Sequence, residues 1–214
     1  EPTDINAVLV THEHVDHVNG LPVLTRKYGL PVYTRRKTWD NFQPAHWVES
    51  EYRHVLGDEL EVGRVRVEPF SISHDAADPV GFAFYGSSVK CIVATDLGCV
   101  SERVESVIAG ADVMVFESNH DLGMLNVGPY PYPLKQRILS NKGHLSNSDT
   151  GRCLARMERK RGMHVFLAHL SRHNNHPDLA LATVSQLLDK QGCAVGSDLY
   201  LHVTKPDATV SFQY

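Results

Sequence analysis

Apolar and polar residues follow two periods along the chain. Short apolar or alternating runs bounded by turn residues predict strands, and longer amphipathic runs predict helices. The predicted strands cover residues 5–10, 31–34, 61–67, 80–85, 89–94, 112–116, 163–168, 199–203 and 209–212, and the predicted helices 20–28, 101–109, 149–161 and 177–191. Residues 122–148 carry three closely spaced prolines and are predicted to be an irregular surface loop.

This order of elements predicts a mixed α/β fold. Strands alternate with helices, but tight turns join several neighbouring strands, which favours mixed sheets flanked by helices. The 214 residues suffice for one domain, so we expect a single domain over 1–214. The chain reaches a strand within its first ten residues, and nothing precedes that strand to pair with it. We therefore expect this domain to be incomplete at its N-terminal side.

Composition limits the function classes. The chain is 42% hydrophobic and 21% charged, as in soluble globular proteins. Its net charge of −4 gives no general attraction to nucleic acid, so a polyanion site would need local cations or metal ions. No apolar run reaches the roughly 18 residues of a membrane span. The four cysteines form no C-x-x-C pair, which indicates reduced thiols and a cytoplasmic location.

Histidine is abundant, with 13 residues, and its placement matters more than its number. The run 11–17, Thr-His-Glu-His-Val-Asp-His, directly follows the strand predicted at 5–10. It presents four potential ligands within six residues: His12, His14, Asp16 and His17. Imidazole nitrogens and a carboxylate suit zinc, manganese or iron, so this run predicts a metal site.

Three more potential ligands follow predicted strands in the same way. They are His74, Asp96 and His169. One histidine in such a place is more often a packed or surface residue. Strand ends that converge on one sheet edge can, however, bring distant side chains into one cleft, so the repeated placement favours a shared site.

Together these residues resemble the motif of the metallo-β-lactamase fold superfamily, His-x-His-x-Asp-His followed by a histidine, an aspartate and a histidine. The resemblance implies an αβ/βα sandwich of two mixed β-sheets flanked by helices. Further runs are similar to the YycJ/WalJ family of bacterial DNA exonucleases, and by that resemblance N-terminal strands are missing here. These runs are Ser-His-Asp-Ala at 73–76, Asp-Pro-Val-Gly-Phe at 78–82, Thr-Asp-Leu-Gly at 95–98, Glu-Ser-Asn-His-Asp at 117–121, Gly-His-Leu-Ser-Asn at 143–147, His-Leu-Ser at 169–171 and Asn-Asn at 174–175.

The resemblance also implies a set of metal ligands for two divalent ions, zinc or manganese, with iron as a further choice. One ion would be held by His12, His14 and His74, the other by Asp16, His17 and His169, with Asp96 shared between them. His173 and His176 could compete with His169 as ligands. The remaining histidines, at 46, 54, 164 and 202, are expected to be ordinary surface or core residues.

Catalytic and substrate-binding residues are expected from the same comparison. Glu117 and His144 resemble a glutamate–histidine pair of tRNase Z-type phosphodiesterases, in which the histidine would stabilise the transition state or protonate the leaving oxygen. Asp16 would help to hold the attacking hydroxide. His120 and Arg172 are candidate substrate contacts, although Arg172 could equally be a solvated surface charge.

Basic residues near the site could steer a nucleic-acid backbone, although a basic helix is more often a solvated face. They are Lys135, Arg137, Lys142, Arg152, Arg156, Arg159, Lys160 and Arg161. The expected function is a 5′-to-3′ exonuclease on double-stranded DNA that uses a hydroxide activated by a dinuclear metal centre. A small-molecule hydrolase acting on a thioester, lactone or cyclic phosphodiester, and a non-catalytic metal-binding scaffold, remain alternatives. The oligomeric state stays open.

Overall fold

The computed structural model describes residues 4–42 and 47–212, so His46 lies outside the described residues. The chain divides into two compact units. The N-terminal unit comprises the residues up to 71 together with 75–87, and the C-terminal unit comprises 72–74 together with the residues from 88 onward. That residues 1–214 act as one domain stays a prediction.

The N-terminal unit contains parallel and antiparallel strands. Strands β1, β2 and β3 pair in parallel in that order, and β5 pairs antiparallel with β4 and β6. Its elements are β1 (Val8–Leu9), α1 (Val15–Val18), α2 (Leu21–Tyr28), β2 (Val32–Thr34), α3 (Arg36–Asn41), β3 (Arg53–Val55), β4 (Leu60–Val62), β5 (Val65–Ser71) and β6 (Val80–Tyr85). A core of Leu56, Val67, Val80 and Phe82 holds the antiparallel strands in register.

The C-terminal unit is a parallel α/β arrangement. Four strands pair in parallel in the sequential order β7, β8, β9, β10, and helices occupy the connections. Its elements are β7 (Lys90–Ala94), α4 (Glu102–Ile108), β8 (Val113–Glu117), α5 (Leu122–Val127), α6 (Tyr132–Ile138), α7 (Asn147–Arg156), β9 (Met163–Ala168), α8 (Pro177–Asp189) and β10 (Leu199–Val203). Because all four strands run the same way, the residues that follow them gather at one edge of the sheet.

Burial of apolar side chains stabilises this sheet. Met114 and Phe116 of β8 and Val165 and Leu167 of β9 are completely buried. Fully burying one such side chain stabilises a fold by roughly 1.5–3 kcal/mol. The residues that follow these strands are therefore carried by a rigid part of the unit.

The structure confirms the mixed α/β class and most predicted elements. The helix predicted at 20–28 is α2, and it ends as expected at Gly29, which has a left-handed φ of 62°. The strands predicted at 80–85, 163–168 and 199–203 are β6, β9 and β10.

Three predicted elements were wrong, and a fourth is shorter than predicted. The strand predicted at 61–67 is a hairpin, because Gly63 adopts a left-handed φ of 61° between β4 and β5. Residues 122–148 contain α5 and α6, and two of the prolines lie at or next to the start of α6, where a missing N–H is tolerated. The basic helix predicted to reach residue 161 ends at Arg156. Residues 209–212 form no strand.

Within the part of the chain that the structure describes, every helix is too short or too polar to cross a membrane.

Candidate metal centre

The histidine run of the N-terminal unit follows β1 and is anchored by two hydrogen bonds. The backbone N–H of Val80 donates to the carbonyl of Thr11 over 3.1 Å. The carboxylate of Glu13 accepts a hydrogen bond from the backbone N–H of Ala77 over 2.7 Å. These contacts join the run to the first residue of β6 and to the segment before it. Glu13 was not singled out by the sequence.

The rings of His14 and His17 both lie against the ring of His12. The ring centroids of His12 and His14 are 4.5 Å apart, and those of His12 and His17 are 4.2 Å apart. The hydroxyl of Thr11 lies 2.9 Å from Nδ1 of His12 and 3.3 Å from Nδ1 of His17. In both rings Nδ1 faces the hydroxyl of Thr11. Nε2 therefore lies on the opposite side of each ring.

Asp16 stands at the outer side of this group. Its side chain is 64% exposed, and its Oδ2 lies 3.7 Å from Nε2 of His17. The four residues predicted from the run are thus close together within their unit, and Thr11 is an addition that sequence reasoning missed. Its only signal was a hydroxyl residue placed directly before the first histidine.

In the C-terminal unit, Asp96 and His169 both have strained backbones. Their φ values are 60° and 58°, in the left-handed region that non-glycine residues rarely occupy. Each follows a parallel strand, β7 for Asp96 and β9 for His169. Such strain costs roughly 1–3 kcal/mol per residue and is found preferentially at functional sites.

A buried carboxylate, that of Glu117 at the end of β8, holds two histidine rings. Its Oε1 accepts hydrogen bonds from Nδ1 of His144 over 2.9 Å and from Nδ1 of His169 over 2.8 Å. Because Nδ1 of each ring donates its proton to the carboxylate, Nε2 is the nitrogen of each ring that suits a metal ion or a substrate contact. The predicted pairing of Glu117 with His144 is present, whereas its bond to His169 was not predicted.

Backbone groups complete the environment of Glu117. Its carboxylate accepts further hydrogen bonds from the backbone N–H groups of Asp96 at 3.1 Å, Leu97 at 2.7 Å and Leu145 at 3.0 Å. Burial by itself would raise the pKa of Glu117, but the hydrogen bonds and charges of His144 and His169 outweigh burial and lower this pKa to about 2. The side chain of Glu117 is fully buried, and its carboxylate contacts the two histidine rings and backbone N–H groups.

His74 lies in the same unit. Its Nδ1 is 3.1 Å from the carbonyl oxygen of Gly143, and its Nε2 is 3.7 Å from Oδ1 of Asp96. The same oxygen of Asp96 lies 3.8 Å from Nδ1 of His144 and 3.6 Å from Nδ1 of His169.

The nitrogen and oxygen donors of this unit converge. One ligand atom from each of Asp96, Glu117, His144 and His169 lies within 4.8 Å of the others. Imidazole nitrogens mixed with carboxylate oxygens are the donors that divalent ions such as zinc, manganese and iron bind in proteins. The three residues of this unit that are expected as ligands, His74, Asp96 and His169, carry donors of these two types, so their chemistry fits a divalent metal ion.

Two close backbone approaches fix the loop that carries His144. A Cβ atom on Gly98 would lie 2.2 Å from the carbonyl carbon and oxygen of Asn141, and one on Gly143 would lie 2.1 Å from the carbonyl oxygen of Ile138. The hydroxyl of Ser73 donates to the carbonyl of Asn141 over 2.6 Å. Glycine is required at both positions because the backbones are in contact.

Of the two predicted substrate contacts, His120 is buried and Arg172 is exposed. His120 is 1% exposed, which does not agree with a direct contact to substrate. Neither of its ring nitrogens has a hydrogen-bond partner among the described residues, and burial lowers its pKa. Arg172 is exposed and lines a hollow beside His144 and His169.

Most of the basic residues that follow the loop are engaged within the protein. Arg152 pairs with Asp149 at 3.0 Å, Arg156 with Glu105 at 3.1 Å and Lys160 with Asp112 at 2.9 Å. Arg159 donates to the backbone carbonyls at the end of α7. These contacts weaken the expectation that this segment binds DNA.

The other described histidines belong to none of these donor groups. His173 and His176 are exposed, and Nδ1 of His176 accepts a hydrogen bond from the backbone N–H of Asp178 at the start of α8. Nδ1 of His164 lies 3.0 Å from Nε2 of His202. His54 stacks on Tyr33. None of these five belongs to a group of metal-binding donors among the residues that the structure describes.

Comparison with known proteins agrees with the fold and the motif. The beta-lactamase superfamily domain matches residues 1–169. The chain is 43% identical to exodeoxyribonuclease YycJ of Bacillus anthracis, over 99% of this chain and 81% of that protein. It is 38% identical to exodeoxyribonuclease WalJ of Streptococcus pneumoniae, over 97% of this chain and 79% of that protein.

Solved structures show the same fold at low identity. The metallo-beta-lactamase fold protein YhfI of Bacillus subtilis superimposes with a TM-score of 0.71 at 15% identity, over 95% of this chain and 77% of that one. The chain therefore belongs to the beta-lactamase superfamily and, within it, to the family of YycJ and WalJ.

Proposed function

We propose that this protein is a metal-dependent exodeoxyribonuclease that hydrolyses phosphodiester bonds. The observation that carries the proposal is the pair of hydrogen bonds that Nδ1 of His144 and Nδ1 of His169 donate to Glu117. They orient both rings, so that Nε2 of His169 would face the metal and Nε2 of His144 would face the phosphate. The chain is 43% identical to YycJ and 38% identical to WalJ, and both of these proteins are named exodeoxyribonucleases. A cytoplasmic location is part of the proposal, because all four cysteines are free thiols.

Two divalent ions, zinc or manganese, with iron also compatible, are the proposed cofactors. The assignment of ligands follows the family motif. His12, His14 and His74 are proposed for one ion, Asp16, His17 and His169 for the other, and Asp96 for both. Bound ions would polarise the phosphate and provide a nucleophile near neutral pH. They would also supply the positive charge that an acidic protein needs at a polyanion site.

The side chains then have separate tasks. The exposed carboxylate of Asp16 accepts a hydrogen bond from the attacking water and orients it towards phosphorus. His144 acts in its imidazolium form: Nδ1–H is held by Glu117, and Nε2–H donates to a phosphate oxygen or gives its proton to the leaving oxygen. Glu117 fixes the orientation of this ring and that of His169. It is a positioning residue in this scheme.

Double-stranded DNA and a 5′-to-3′ direction are proposed for the substrate. The test is digestion of duplex DNA, single-stranded DNA and RNA, each labelled at the 5′ or the 3′ end, with manganese or zinc. Duplex DNA should lose nucleotides from its 5′ end, and His144→Gln should lower the rate by roughly 100-fold. His54→Gln, a half-buried histidine outside the centre, is the matched control.

The assay also separates the rival functions. A protein that leaves every nucleic acid intact but cleaves a thioester, lactone or cyclic phosphodiester is a small-molecule hydrolase, and the nuclease proposal is then wrong. A protein that binds metal and cleaves none of these substrates is a scaffold. Metal analysis that finds fewer than two ions at saturation would overturn the dinuclear assignment.

A further inference from the structure

A hollow of about 360 Å³ lies in the C-terminal unit beside the histidines held by Glu117. His144 and His169 form part of its wall, and α6 and the segment after β9 form the rest. Its volume is at the lower end of the range for ligand pockets, roughly 300–1,000 Å³. It therefore suits one small ligand unit next to the proposed centre.

The charged residues that line this hollow are basic, whereas the chain as a whole is acidic. Arg137, in the last turn of α6, and Arg172 both line it, and both are exposed. No aspartate or glutamate is among the described residues that line it, although the chain has 25 acidic residues and a net charge of −4. Guanidinium groups bind phosphate through paired hydrogen bonds, so the hollow favours a phosphate group.

The same hollow has an aromatic and apolar side. Tyr130 is half-buried, and its ring packs edge-on against that of His173, with centroids 5.8 Å apart. Leu134 and Leu170 also line the hollow. Nucleic-acid bases stack on aromatic rings whatever their sequence, whereas an inorganic anion gains nothing from such a surface.

Rigid backbone holds Tyr130 in place. Prolines on either side of it, at 129 and 131, restrict its backbone. A Cβ atom on Gly128 would lie 2.4 Å from Oδ1 of Asn174 and 2.7 Å from the carbonyl oxygen of Met124, so the chain turns there in close contact with its surroundings. The aromatic side of the hollow therefore exists before a ligand binds, which lowers the entropic cost of binding.

We propose that this hollow binds one nucleotide unit of the substrate, with its phosphate on Arg137 and Arg172 and its base against Tyr130. The inference rests on the proposed nuclease function and deepens it, because it names the residues that hold the nucleotide at the reacting end. The phosphate would then lie on the side of the hollow formed by His144 and His169. Tyr130, Arg137 and Arg172 thereby become substrate-binding residues.

The test measures binding of deoxyadenosine monophosphate, deoxyadenosine and inorganic phosphate to the metal-free protein by titration calorimetry. The monophosphate should bind more tightly than either part. Arg137→Gln and Arg172→Gln should each weaken it about tenfold. Tyr130→Leu should also weaken the monophosphate about tenfold but leave phosphate binding unchanged, because only the base loses its partner. Arg64→Gln, an exposed arginine in the β4–β5 turn, removes the same charge elsewhere and should change nothing.

The experiments distinguish a failure of this inference from a failure of the proposed function. If the monophosphate does not bind the wild-type protein, or binds all variants equally, the hollow is not a nucleotide site. If DNA is digested and the KM of Tyr130→Leu and Arg137→Gln equals that of the wild type, the nuclease proposal stands and the inference is overturned. If DNA is not digested but the monophosphate binds as expected, the nucleotide site stands and the proposed reaction is wrong.

Discussion

Oε1 of Glu117 lies 2.8 Å from Nδ1 of His169, although 52 positions separate the two residues in the chain. The same oxygen also accepts the hydrogen bond from His144, so one buried acid fixes the orientation of two rings. His169 has a strained φ of 58°, and its bond to Glu117 helps to hold that conformation. Because one carboxylate orients both rings, loss of Glu117 should lower both the stability of the protein and its affinity for metal.

Replacement of Glu117 by Gln should destabilise the protein and weaken metal binding. The amide keeps the size of the side chain, but its NH₂ group would face the backbone donors of Leu97 and Leu145, and a buried donor left without an acceptor is costly. We expect a loss of about 3 kcal/mol in the free energy of unfolding, measured with urea. Metal affinity, measured by chelator competition, should fall roughly 10- to 100-fold.

Glu105→Gln is the matched control for this change. Glu105 pairs with Arg156 on the surface at 3.1 Å, and such pairs contribute little. The control should change the free energy of unfolding by less than about 1 kcal/mol and leave metal affinity unaltered. Equal effects of the two substitutions would contradict the positioning role of Glu117.

The lowered pKa of Glu117 gives the stability of the metal-free protein a defined dependence on pH. The folded pKa is about 2, below the ordinary value of 4.5, so the folded state binds fewer protons than the unfolded state between these values. The contribution of this residue is complete above pH 4.5 and is lost as the pH falls towards 2.

The measurement is urea unfolding of wild type and Glu117→Gln at several pH values. The difference in the free energy of unfolding should be constant near neutrality and should shrink below about pH 4.5. If the difference in the free energy of unfolding does not shrink between pH 4.5 and about pH 2, the carboxylate of Glu117 is not ionised in the native state.

Gly98→Ala should disturb the loop that carries His144. The added Cβ would lie 2.2 Å from backbone atoms of Asn141, which cannot yield as a flexible side chain could. We expect a loss of about 2 kcal/mol in the free energy of unfolding, together with lower activity on DNA. Gly20→Ala is the control, because nothing lies within 4 Å of a Cβ there. Equal stability of the two variants would contradict the close approach.

The thiols should react unequally in the native protein. Burial raises the pKa of Cys153 to about 12, in spite of the nearby charge of Arg156, so its reactive thiolate is scarce near pH 8. Cys91 and Cys99 are only partly buried. With a thiol reagent and peptide mapping, Cys99 should be modified quickly and Cys153 only after denaturation. Rapid modification of Cys153 in the native state would contradict its burial.

Several features followed directly from the sequence because they depend on residues close together in the chain. The run from His12 to His17 places four ligands after one strand, and each of His74, Asp96 and His169 follows an apolar segment. The same local patterns predicted α2 and the strands β6, β9 and β10. The superfamily, too, was recognisable from these motifs, and comparison with known proteins confirmed it.

Tertiary structure alone decided the contacts that join distant residues. The bond from Glu117 to His169 and the burial of His120 depend on how β8 and β9 pair and on what packs around their ends. The helices α5 and α6 escaped prediction because proline signals a break in the chain but does not say whether a helix begins there. Local pattern can place a donor at the end of a strand, whereas its orientation is set by hydrogen bonds from residues that only folding brings near.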